Sequence, residues 1–208
     1  DWHGPYAVVE GSKDPCIFSE RPEVGEQKGV YVWTIPVENE YLVCYVGKAE
    51  DQKGLFSRLR REYSKKHAKH RDIVDGKLLL KGTRKQLYSP LDSKGKPNIA
   101  KWRTDPKGYT MNSEIFDQSV RLFIAPMQDE QKHIRFAEAA LIHTVWDYEY
   151  DNWDIIPNYE DWYFLNQDDK NGPKRPTAPY RITMSFPPGI HIRGFKKVNK
   201  YTRPRENS

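Results

Sequence analysis

The sequence carries only two cysteines, Cys16 and Cys44, in 208 residues. That is too few for a disulfide framework, so the chain must hold itself together with a hydrophobic core, which its length allows. Cys44 lies in an apolar segment and reads as a small buried thiol. No apolar run approaches the roughly 18 residues of a membrane-spanning helix, which argues against a membrane partner. Charge of one sign is also scarce: 34 Lys and Arg stand against 29 Asp and Glu, for a formal charge of +5. This is no histone-like polycation, and any inference to a polyanionic partner depends on where the charge lies. No initiator Met or signal segment precedes Asp1, so processing or trimming is expected there. A reducing, cytoplasmic compartment is the matching expectation. Aromatic side chains are plentiful by contrast, with 13 Tyr and 6 Trp, and they suit a core or a base-stacking surface equally.

The stretch from Gly29 to Tyr63 organises the chain. Val30, Val32 and Ile35 mix with Tyr31 and Trp33, as in a strand on a half-buried pleated surface. A polar break at Glu38-Asn39-Glu40 leads to a second apolar run, Tyr41 to Val46, closing at Gly47. This predicts a hairpin with a loop somewhat longer than the tightest kind. Beyond Gly47 the period changes. Leu55, Phe56, Leu59 and Tyr63 fall on one helical face, with Arg58, Arg61 and Lys65 on another.

These residues resemble the signature half of the GIY-YIG nuclease superfamily. Gly29-Val30-Tyr31 stands in the place of the first triplet and Tyr45-Val46-Gly47 in the place of the second, with Lys48-Ala49 continuing it. Arg58-Leu59 completes an L-x-x-R-L pattern on the predicted helix. The chain looks most like the short restriction endonucleases of that superfamily. The resemblance implies an α+β fold: a small core with a three-stranded antiparallel sheet flanked by helices, elaborated by a central insertion and a C-terminal strand-and-loop extension. It covers residues 29–69 and 118–147 of a single nuclease domain spanning 1–208.

Around that core, residues 1–28 are rich in Pro and Gly and read as a loose arm, with a short strand over Tyr6 to Val9. Residues 70–117 are polar and irregular, too long for an ordinary loop. Their basic residues, including Lys81, Arg84, Lys85, Lys101 and Arg103, are interleaved with Tyr88, Trp102 and Tyr109, the pattern of a DNA-contact module. Ser119 to Ala125 then reads as a strand. The acidic start at Asp129-Glu130 and the apolar positions Ile134, Ala137, Leu141, Ile142 and Val145 predict a helix. Residues 146–162 are acidic and aromatic, unsuited to a phosphate backbone. The extension over 166–208 is basic again, through Arg193, Lys196, Lys197 and others, and is a second candidate DNA grip with short strands over 181–186 and 190–195.

Glu138 lies beside the inward face of the second helix, where a charge needs a partner or a cation. Either it forms a salt bridge, to Arg135 or to the first helix, or it binds metal. The resemblance places the family's metal-binding glutamate in this helix, and Glu138-Ala-Ala-Leu-Ile142 matches its E-x-x-L-I context, so it implies Mg²⁺ on Glu138. It further implies that Tyr31 activates water, that Tyr45 positions the phosphate, and that Arg58 stabilises charge on the phosphate; a phenol acting as base needs Lys48, Arg58 or the metal close by. Arg60 or Arg61 takes that last role if the helix begins later. Asn152, Asn158 and Asn166 all qualify for the family's asparagine, with Asn166 in the best-matching context. The expected function is a Mg²⁺-dependent endonuclease acting on double-stranded DNA, possible as a homodimer. A non-catalytic DNA-binding protein, or a repair or homing enzyme of the same superfamily, is the alternative. The nuclease reading expects Tyr31, Tyr45, Arg58 and Glu138 to converge on one cleft, and a Glu138 carboxylate on the far side of the sheet from Tyr31 would end it.

Overall fold

The computed structural model describes residues 1–7, 22–37, 39–63, 73–74, 86–88, 107, 118–146 and 187–193. Its elements in chain order are β1 (His3–Tyr6), α1 (Pro22–Gly25), β2 (Gly29–Val37), β3 (Glu40–Ala49), α2 (Gly54–Tyr63), β4 (Ile73–Val74), β5 (Gln86–Tyr88), β6 (Arg121–Pro126), α3 (Gln131–Trp146) and β7 (His191–Arg193). The fold is α+β, with a mixed sheet flanked by helices. Five strands form that sheet in the order β1-β6-β2-β3-β7, while β4 and β5 pair separately.

The antiparallel trio β6-β2-β3 is the centre of a larger sheet, which corrects the expectation of three strands. On one side β1 pairs with β6, His3 opposite Ile124 and Tyr6 opposite Leu122. The start of the N-terminal arm is therefore a strand, His3–Tyr6, which meets the expected one at Tyr6, while Val8 and Val9 lie outside the described residues; Trp2 is buried in the core. On the other side β7 runs parallel to β3, His191 opposite Glu40. The hairpin is also tighter than expected. Pairing continues to Val37 opposite Glu40, which leaves only Glu38 and Asn39 between the strands.

Register assigns each side chain to a face, because residues directly opposite in a ladder share one and successive residues alternate. Tyr31 is opposite Gly47 and Ile124, and Trp33 is opposite Tyr45 and Leu122. That face carries α2, whose Leu55 and Leu59 are wholly buried. Val30 is opposite Lys48 and Ala125, and Val32 is opposite Val46 and Phe123. These belong to the face that carries α3, where Val30, Val32, Val46, Phe123 and Ala125 pack with Ile134, Ala137, Leu141, Ile142 and Val145. Because helices cover both faces, β2 is buried along almost its whole length rather than half-buried.

The β2–β3 ladder slips once, from Trp33 opposite Tyr45 to Thr34 opposite Val43. Cys44 is the extra residue of this bulge, fully buried as expected, and its thiol donates to the Trp33 carbonyl at 3.3 Å. The other local constraint is Gly47. A Cβ built there would come within 2.5 Å of the Tyr31 hydroxyl, because the Tyr31 ring lies across this position.

Tyr31 is fully buried and cannot swing aside cheaply. Gly47→Ala should therefore cost about 1–3 kcal/mol through overpacking. In a Tyr31→Leu background, which vacates the ring's space, the same change should cost markedly less. Urea melts of the four proteins in that cycle test this, and purely additive costs would refute it.

Candidate functional site

Two features bring α2 to Tyr31. The segment from Glu50 to Lys53 closes in a turn, with the Lys53 amide donating to Asp51 Oδ1 at 3.1 Å and the Gly54 amide to the Asp51 carbonyl at 3.1 Å. Gly54 then starts the helix at φ +63°, pressed against the Glu26 and Gln27 backbone, and the Leu55 amide donates to the Gln27 carbonyl at 2.8 Å. Only glycine combines that φ with so close a backbone approach. Residues 50–53 thus form a turn, and the helix begins early enough for Arg58 to face the sheet.

Arg58 Nε donates to the Tyr31 hydroxyl at 3.2 Å. Of the candidate arginines Arg58 is therefore the one seen on Tyr31, while the side chain of Arg61 lies outside the described residues. Arg60 is exposed and lies over the Phe56 ring at 4.7 Å, an outward cation–π contact. The Tyr31 and Tyr45 ring centroids are 6.2 Å apart with planes tilted by 41°. Tyr31 is fully buried, while Tyr45 is partly exposed. Tyr31, Tyr45, Gly47 and Arg58 therefore form one group on the α2 face.

Glu138 belongs to the other face. Its carboxylate forms an ion pair with Lys48, with side chains 16% and 28% exposed respectively. Arg135 is not its partner. The Arg135 guanidinium makes a two-pronged contact with Glu50, Nε to Oε2 at 2.7 Å and an Nη to Oε1 at 3.1 Å. Gln131 adds its side-chain amide on the Glu50 carbonyl at 3.1 Å. Residues 131, 135 and 138 follow one stripe of α3, so three successive turns are fastened to the end of β3.

The expected single cleft is thus two pairs, Tyr31–Arg58 and Lys48–Glu138, on opposite faces of the sheet. The strand period causes this. Gly47 and Lys48 are consecutive in β3, so their side chains point to opposite sides. They are also adjacent along the chain, at the end of β3 distant from β7, which pairs only with Glu40–Leu42. The alternation was present in the sequence as the odd spacing between Tyr45 and Lys48. The Glu50–Arg135 contact was also missed. Its signal is the complementary order of charge, Lys48 and Glu50 two apart on a strand against Arg135 and Glu138 three apart on a helix.

Among the described residues no group of three or more His, Cys, Asp or Glu is gathered. A Mg²⁺ ion does not need such a group, since it keeps several waters and is commonly held by one or two carboxylates with substrate phosphate. Glu138 fits that limited requirement. Asn166, Lys81, Arg84, Lys85, Lys101, Arg103, Lys196 and Lys197 lie outside the described residues, as does the side chain of Arg193, whose backbone ends β7. The rival asparagines and residues 147–162 lie outside them too.

The Arg135 hydrogen bonds, aided by the Lys48 charge, hold the Glu50 carboxyl below its usual range, against a smaller opposing effect of burial. A depressed folded-state pKa gives stability that is fully present above the unfolded value, near pH 4.5, and is lost as pH falls through the folded one. Glu50→Gln should therefore lower the melting temperature modestly at pH 7, and the gap to the parent should narrow as pH falls below 4.5 and through the lowered folded-state value. Thermal melts of both proteins across that range check this, and a gap independent of pH would refute it. The chain matches no protein-family model, no curated protein and no solved structure.

Proposed function

We propose that the chain is a metal-dependent endonuclease that hydrolyses DNA phosphodiester bonds, of the sequence-specific restriction type. Double-stranded DNA is the partner, and a symmetric homodimer is the simplest way to cut both strands with one site per chain. The observation that carries the proposal is the Arg58–Tyr31 hydrogen bond made over Gly47. One contact joins the first triplet, the second triplet and the helix arginine of the GIY-YIG resemblance.

In this reading Arg58 presents a planar donor fork to the scissile phosphate as negative charge builds on its oxygens. Tyr31, buried and accepting a hydrogen bond from Arg58, orients that guanidinium. Tyr45 is partly exposed and is the phenol better placed to meet water, so burial favours exchanging the roles expected for the two tyrosines. Glu138 would hold Mg²⁺, which when bound supplies charge neutralisation and a more acidic water. The two pairs would then act on one phosphodiester around the end of β3, where Gly47 and Lys48 adjoin.

The separation of the pairs onto two faces is the arrangement set against the nuclease in advance, and that reading is kept only on the Arg58–Tyr31 contact and on the shared end of β3. The separation favours the second reading, a non-catalytic DNA-binding protein in which Lys48–Glu138 is structural. Mixed DNA incubated with the protein, with and without Mg²⁺, and end mapping of the fragments decide between them. Arg58→Ala should slow cleavage by about 10²–10³-fold. Glu138→Gln should abolish cleavage while DNA binding and the melting curve are kept. Tight binding with no fragments under any divalent cation would leave only the second reading.

The basic segments generate a separate expectation. Replacing Lys81, Arg84 and Lys85, or Arg193, Lys196 and Lys197, by Ala should weaken binding to all sequences alike. The slope of log affinity against log salt should become shallower by about 0.9 for each phosphate that is no longer neutralised. Fluorescence anisotropy at several salt concentrations measures it. Unchanged slopes in both variants would remove these residues from the interface.

A further inference from the structure

Lys48 is a cation already seated on the carboxylate that the proposed function gives to a metal. Two positive charges cannot share one carboxylate oxygen at contact distance without repulsion, so occupancy by one weakens the other. Which partner would yield is decided by how each is held. Glu138 sits on a helix fastened to β3 one turn earlier by Arg135 on Glu50, and a further turn earlier by Gln131 on the Glu50 carbonyl. It is flanked by Ile134, Leu141 and Ile142, all buried. Lys48 is the more exposed of the two and ends a flexible four-carbon stem. Arg135 offers no substitute cation, because Glu50 engages it through two hydrogen bonds.

We propose that Lys48 is a built-in competitor for Glu138, an internal counter-cation that a divalent metal must displace, so that Lys48 sets the metal concentration at which this carboxylate is occupied. The inference rests on the reading of Glu138 as a metal-holding residue. It assigns Lys48 a regulatory part in that site: the ammonium keeps the half-buried carboxylate paired in the resting protein and swings outward on its stem when the metal binds. Glu138 keeps its place throughout.

The test is Mn²⁺ binding to the full chain, read from the signal of free Mn²⁺ in electron paramagnetic resonance, without DNA. Lys48→Met should bind Mn²⁺ about tenfold more tightly than the parent, and Lys48→Met combined with Glu138→Gln should lose that gain. Lys48→Gln, which keeps a polar stem, should show the same gain, together with a rise in melting temperature on adding Mg²⁺ that exceeds the parent's. Affinity no higher in either single variant, or a gain that survives Glu138→Gln, overturns the proposal. Loss of the native fold in both single variants overturns it as well, since an ammonium that the fold requires is not free to leave. Cleavage that Glu138→Gln abolishes keeps the nuclease reading even where the competition fails. Competition without cleavage keeps the metal site and ends the nuclease.

Discussion

The Tyr31 ring needs space on a neighbouring strand, and only the missing side chain of Gly47 provides it. With the ring lying over β3, its hydroxyl reaches Arg58 on α2. A larger residue at 47 would push the phenol into a layer filled by Trp33, Leu55 and Leu59, all fully buried. The position of α2 depends on the same arrangement, because its first turn is fixed by Gln27 just before β2 and its middle by Tyr31 within β2. One absent Cβ therefore governs the hairpin, the helix and the arginine together.

The opposite face is organised by charge above an apolar floor. Val30, Val46 and Ala125 pack beneath α3, and at the end of the sheet Lys48 and Glu50 meet Glu138 and Arg135. Ion pairs that keep contact with solvent contribute little to stability individually. Their value is directional: only one sliding position of α3 along β3 pairs every charge with its opposite. The apolar contacts hold the helix down, and the charges choose where along the strand it rests.

The sequence was most legible where structure is local. The apolar runs over 29–37 and 40–49, the three-and-four spacing after Gly54 and the stripe from Ile134 to Val145 lead to the elements observed. The partners of β1 and β7 were not legible, because pairing across more than a hundred residues leaves no mark on a short strand's own pattern. Within the candidate site, the arginine on the Tyr31 face could be narrowed to three positions but not chosen. The choice depends on where α2 starts, and a backbone approach to Glu26 decides that. Grouping Glu138 with Tyr31 failed for a different reason. Residue types and chain order do not say which face of a sheet a helix covers, although the parity of Gly47 and Lys48 does separate their side chains. The basic residues that the sequence assigns to the two DNA grips lie outside the described residues.

The bulge at Cys44 sets the phase of β3. On its turn side the strand answers to β7 and the hairpin tip; on its other side it carries Tyr45, Gly47 and Lys48. A strand that kept Cys44 but lost the bulge would set it opposite Trp33 and exchange the faces of every later residue, sending Lys48 toward α2 and turning Gly47 away from Tyr31. Removing Cys44 outright, by contrast, would leave Thr34 opposite Val43 and Trp33 opposite Tyr45 in an unbroken ladder, with every side chain on its present face. What matters is that Cys44 stands out of the ladder, where its thiol meets the Trp33 carbonyl, so a kink in one strand keeps each chemistry on its own face of the sheet.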